Sequence, residues 1–80
     1  TVEEIDVSNT IKMVKFVATD NFIYKKISEI ESEFKNLKII SYKTSGIWSI
    51  QIDPLYQVKK DDLLVFLGES KYIKEFYKQI

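Results

Sequence analysis

Histidine and cysteine are both absent from this sequence, so any chemistry must be carried by carboxylates, hydroxyls, lysines and aromatic rings. That removes the usual general base at neutral pH, the usual thiolate nucleophile and the common ligands of zinc and haem. The carboxylates with suggestive spacing are Asp61 and Asp62, and Glu29, Glu31 and Glu33. Neighbouring residues on an extended strand point to opposite faces, so Asp61-Asp62 reads as a polar turn before a strand rather than an acid–base pair. The alternating glutamates would attract a divalent cation only if they converged. On a helix that spacing scatters them around the axis, and a solvated helix face is the expectation. Ser8, Ser41, Ser45, Ser49 and Ser70 have no base to activate them, and Gly46 and Gly68 are too few for a phosphate-cradling loop. The residues predict no enzyme.

The aromatic side chains offer a different chemistry. Tyr24, Tyr42, Trp48 and Tyr56 could stack on bases, as in single-strand binders. Twelve acidic residues balance twelve basic ones, and every basic residue is a lysine. Lysine is a mobile point charge where arginine reads phosphates and guanine edges with a rigid fork. Without arginine or a basic excess no nucleic-acid partner is expected, and the rings are expected to complete a core or an interface. Pro54 either ends a strand or walls a shallow pocket beside Ile39 and Ile40.

The elements that must position these residues follow from periodicity. Ile11–Ala18 reads as a strand. Asp20 and Asn21 are natural caps for a helix whose apolar stripe is Ile23, Ile27, Ile30 and Phe34, with Ser28, Glu29, Glu31, Ser32 and Glu33 on the wet side. Leu37–Lys43 is a second strand and Ile47–Ile52 a third, its residues Trp48, Ile50 and Ile52 sharing one face. Thr44-Ser45-Gly46 has hairpin length, and Asp53-Pro54 breaks the pairing. Leu63–Leu67 is continuously apolar, which predicts a central strand buried on both faces and ended by Gly68. Ser70 then caps a last helix with Tyr72, Ile73, Phe76, Tyr77 and Ile80 on its apolar stripe. The fold class is α+β: a small sandwich of a three- to four-stranded sheet with two helices, in the order β-α-β-β-β-α.

Eighty residues make one domain, whose core twelve isoleucines and ten Phe/Tyr residues can supply. Residues 1–9 read as a linker or edge strand and residues 10–80 as the domain. The chain opens at Thr1 without an initiator methionine, which suggests an excised piece. No apolar run approaches the roughly 18 residues of a membrane span and no signal peptide is visible, so direct membrane insertion is not expected. The lack of cysteine is compatible with a reducing cytoplasm.

Several strings in order resemble a known family. Tyr24-Lys25-Lys26-Ile27-Ser28-Glu29-Ile30 is similar to the "GKxLxEL" helix start of the TrkA-C domain, the C-terminal lobe of regulators of potassium conductance (RCK proteins). Ile39-Ile40-Ser41-Tyr42-Lys43 resembles the following "IIaIxR" strand, and Pro54 falls where the family has its proline. Asp61-Asp62-Leu63-Leu64-Val65-Phe66-Leu67-Gly68 resembles "GDxLxVxG", and Lys71–Ile80 the closing "lxxF" helix. The match covers residues 11–80 without a forced gap, with Tyr24 and Asp61 in place of glycine and Lys43 in place of arginine.

The resemblance implies a TrkA-C fold and a cytoplasmic regulatory role, peripheral to the inner membrane. Such domains dimerise behind a nucleotide-binding Rossmann lobe in potassium channels and in Trk- or Ktr-type potassium uptake systems. No GxGxxG is present, so ATP or NAD binding does not belong to this chain. The expected partners are a second copy and, through the parent protein, a membrane transporter or channel subunit. No cofactor is expected in the domain, but cyclic di-AMP or a divalent cation is the implied effector. The carried-over cyclic dinucleotide contacts are Lys38, Ile39, Ile40 and Pro54. Family binders carry Arg-Ala where this chain has Ser32 and Glu33, and asparagine where it has Lys38. Loss of the arginine and gain of a carboxylate weaken attraction for a doubly anionic ligand, and Lys38 restores part of it. A ligand-free oligomerisation or docking domain is the alternative, and a single-strand RNA-binding module the third.

Overall fold

The computed structural model describes residues 2–80. Its elements are β1 (Val2–Asp6), β2 (Ile11–Val17), α1 (Ile27–Glu33), β3 (Leu37–Thr44), β4 (Ile47–Ser49), β5 (Leu63–Glu69) and α2 (Ile73–Tyr77). A single 3-10 turn, Ser70–Tyr72, leads into α2. The sheet runs β1-β2-β5-β3-β4, with every neighbouring pair antiparallel. The fold is therefore the expected α+β arrangement of two helices against one sheet. The sheet holds five strands rather than three or four, because Val2–Asp6 pairs with β2 along its length. Thr1 lies outside the described residues.

The last strand in sequence is the middle one in space. β5 alternates, with Leu64, Phe66 and Gly68 buried and Leu63, Val65 and Leu67 half-buried. Burial on both faces was the expectation from five consecutive apolar residues, yet the helices cover one face only. Gly68, expected to end this strand, lies inside it, paired with Lys12 and Leu37. The turn after it begins at Glu69 without a side-chain cap, so Ser70 does not cap a helix.

The β3–β4 hairpin closes through Ser45 and Gly46, both at positive φ (50° and 80°), a two-residue turn whose twist matches the strands. β4 stops at Ser49, short of Ile52. Trp48 and Ile50, expected to face a core, are 45% and 84% exposed, because an outermost strand lies beyond the reach of the helices.

The first helix starts later than its apolar stripe suggests. Tyr24 has φ 72°, which ends the preceding turn, and Lys26 bridges to Gln57 before α1 begins at Ile27. Asn21 Nδ2 and Thr19 Oγ1 donate to the Gln79 carbonyl at 2.9 and 3.2 Å. The sequence-expected cap residue Asn21 thus satisfies the end of α2 instead of the start of α1. Glu29 meets the start of α1, accepting the Lys26 N–H at 3.0 Å.

All five phenylalanines meet between sheet and helices. Phe76 touches Phe16, Phe22, Phe34 and Phe66 with ring centroids 4.3–5.3 Å apart. Edge-to-face and tilted contacts of this kind contribute about 0.5–1.5 kcal/mol per pair beyond area burial.

Candidate functional site

The four residues singled out by sequence lie around α1 and the first half of β3. β4 pairs only with Tyr42, Lys43 and Thr44, so the start of β3 is free of a strand on that side. Glu31 of α1 fills the gap and accepts the Ile39 N–H at 2.8 Å. Glu31 is therefore not a solvated residue of the helix face; it satisfies a strand edge, and its side chain is 22% exposed. One helical turn away, Ser28 N–H donates to the Pro54 carbonyl at 2.9 Å, and Ile27 N–H to the Tyr56 carbonyl at 3.0 Å. α1 thus ties the Pro54 loop to the β3 edge across three residues, a rise of about 4.5 Å.

The side chains do not converge on one pocket. Ile39 is fully buried, Ile40 is half-buried at an irregularity in the β3–β5 register, and Pro54 is exposed. The register slip between Ile39 and Ser41 is a bulge, which lets Ile39 and Tyr42 both face the core. Lys38 is exposed, and its ammonium lies 3.7 Å from Glu31. Ser32 Oγ donates to the Glu29 carbonyl at 2.8 Å, and both Glu33 oxygens accept from Lys25 at 2.9 Å. The neighbourhood is thus neutralised locally, and its one exposed strand-edge lysine already has an acidic neighbour. The widest groove on the surface, about 540 Å³, lies between the end of α1 and α2, lined by Glu33, Phe34, Lys35, Tyr72, Glu75 and Gln79.

The alternating glutamates do separate jobs: Glu29 at the helix start, Glu31 at the strand edge, Glu33 with Lys25. Among the described residues no group of three or more acidic side chains is placed to hold a metal ion. The aromatics divide likewise. Tyr42 and Tyr56 stack at 4.3 Å and 10°, Trp48 lies 5.9 Å from the Lys43 ammonium, and Tyr24 stands alone, 77% exposed. They form no continuous stacking surface. Sequence reading missed the buried pair beneath Tyr42: Asp62, 2% exposed, accepts from the Tyr56 hydroxyl at 2.6 Å and from Lys59 N–H at 2.9 Å. A two-aspartate run before an apolar strand gave the turn but not its buried member.

The fold is that of an RCK C domain. The chain superposes on the regulator of conductance of K+ (RCK) C domain of the potassium transport protein KtrA, solved in complex with cyclic diadenosine monophosphate (c-di-AMP), with a TM-score of 0.72. The two share 21% identity, over 85% of this chain and 81% of that one. No family model matches the sequence, and no curated protein does. Two local conformations agree with the motif alignment. Tyr24 and Asp61 stand where the resembled motifs have glycine, and both hold positive φ, 72° and 70°. Among the described residues no helix is long and apolar enough to cross a membrane.

Proposed function

We propose that this chain is a cytoplasmic, dimerising, ligand-sensing regulatory domain of a Trk/Ktr-type potassium transport or potassium channel protein. The observation that carries the reading is its RCK C fold, shared with a domain solved with c-di-AMP. The proposed contact region is the β3 edge and the Pro54 loop: Lys38 as the cation, Ile40 as an apolar wall, and the backbone at Ile39 and Pro54 as polar rims. A ligand held between two copies favours one relative orientation, and the parent assembly feels that preference as a bias on its gate, with coupling of about 1–3 kcal/mol.

Calorimetric titration with c-di-AMP, Ca²⁺ and Mg²⁺ tests this. The dinucleotide is expected to bind saturably, and S32R/E33A is expected to tighten it by supplying the arginine and removing the carboxylate. Absence of binding in both forms overturns the ligand-sensing reading. A docking domain without a ligand is then the better account, and a specific observation favours it: Lys25 holds Glu33 and Glu31 holds Lys38, so no cation at this edge is unengaged.

A further inference from the structure

We propose that the uncovered face of the sheet packs against the same face of a second copy of this chain, with β1 of each copy over β3 and β4 of the other. The inference rests on the dimerising part of the function proposed above and specifies where the copies meet.

Strand registers define three rows across this face: Glu3, Lys15, Val65 and Ser41; Ile5, Met13, Leu67 and Lys38; Val17, Leu63, Lys43 and Trp48. An antiparallel sheet that turns one face to water alternates apolar and polar residues along its strands. β5 does not alternate. Its outward residues Leu63, Val65 and Leu67 are as aliphatic as its inward ones, and Val17, Ile5 and Trp48 extend the patch outward, 41–57% exposed. A concavity of about 210 Å³ lined by Glu3, Ile5, Met13, Lys15 and Val65 gives this face relief to interlock.

The charges say what covers it. The acidic residues lie at one end of the sheet, where β1 carries Glu3, Glu4 and Asp6. Lys38 and Lys43 lie toward the other end, and among the described residues Lys43 has no carboxylate partner, its ammonium resting over the Trp48 ring. A two-fold axis parallel to the strands turns β1 of one copy over β3 and β4 of its mate. Glu3 then approaches Lys38 and Lys43, and Ile5 approaches Trp48, each contact occurring twice. An axis perpendicular to the strands sets β1 on β1 and brings the acids together. Only the first arrangement is self-complementary in both charge and apolarity, and face-to-face sheets about 10 Å apart and about 30° off alignment provide its geometry.

Sedimentation velocity on the full chain tests the proposal. Wild type is expected to dimerise, and V65E, with a charge at the patch centre, to sediment as a folded monomer by circular dichroism. Glu3→Lys and Lys43→Glu are each expected to weaken association about tenfold, and the double reversal E3K/K43E to recover it. These two positions lie at the margins of the face, so they remain informative if V65E fails to fold. A dimer unaffected by either single reversal overturns this face and leaves the dimerising reading intact. Weakening without recovery overturns the two-fold arrangement. A wild-type monomer at high micromolar concentration overturns both readings.

Discussion

The Tyr56 hydroxyl donates to the Asp62 carboxylate at 2.6 Å, and the two residues bracket the loop that delivers the chain to its central strand. Asp62 is buried, so each of its partners matters. Tyr56→Phe keeps the ring that stacks on Tyr42 and deletes only the donor. The expected cost is about 2 kcal/mol in urea unfolding. A Phe variant as stable as wild type would show that Lys59 N–H alone satisfies the carboxylate.

The same pair sets an alkaline limit. Burial, and then the bond to Asp62, push the Tyr56 hydroxyl up to about 12 from an ordinary value of 10.0. A raised folded value means that this group's contribution is complete below pH 10 and lost as pH climbs toward 12. Burial and Glu4 raise Tyr77 as well, so the comparison belongs in a Tyr77→Phe background. There, Tyr56→Phe is expected to flatten the fall in stability across that window, read by denaturant titration at successive pH values.

Tyr24 holds a left-handed conformation with its side chain in water. The conformation costs about 1–2 kcal/mol for a residue with a Cβ, against about 0.5–1 kcal/mol of extra unfolded-chain entropy for glycine. Tyr24→Gly is therefore expected to stabilise the domain by about 0.5 kcal/mol or more, measured as a raised denaturation midpoint with unchanged m. A loss of stability would mean that Tyr24 makes a contact in solution that outweighs its strain.

Gly68 marks the opposite situation. A Cβ there would sit 3.1 Å from Phe66 Cε1, and that ring is pinned against Phe76. Gly68→Ala is expected to destabilise by about 1–2 kcal/mol through displacement of the aromatic cluster. Thermal unfolding should show it as a lowered Tm.

The edge strand is tied to the last helix by Glu4, which accepts from the Tyr77 hydroxyl and, at 3.4 Å, from Lys12. The bond from Tyr77 is the main reason the Glu4 carboxyl lies below its usual 4.5, with Lys12 adding to it and partial burial opposing. A depressed folded value gives stability that is present above 4.5 and lost as pH falls through the folded value. Hydrogen exchange of the β1 amides is expected to quicken in E4Q at neutral pH and in wild type under acid, with β5 unchanged. Equal protection in E4Q would mean that strand pairing alone holds β1.

Much of the sheet was legible because β2, β3 and β5 carry runs that only strands explain, and Gly46 announces its turn. The start of α1 was not. Nothing in a tyrosine signals positive φ, so Asp20 and Asn21 looked like caps while Asn21 in fact reaches the far terminus of the chain. The candidate site was legible only in part. Two adjacent isoleucines do not reveal which faces inward, and the bulge at Ile40 decides it. The Glu31–Ile39 bond was invisible for another reason: a carboxylate on a helix pattern looks solvated until the strand edge beside it is known to be bare.

β5 also governs how the molecule comes into being. Phe66 pairs with Val14 on one side and Ile39 on the other, while β2 and β3 never touch each other. During synthesis both wings of the sheet therefore wait as separate hairpin-like fragments until the final strand leaves the ribosome. Their apolar edges stay open for that interval, and the domain's most hazardous moment is the one just before its seventh decade of residues is complete.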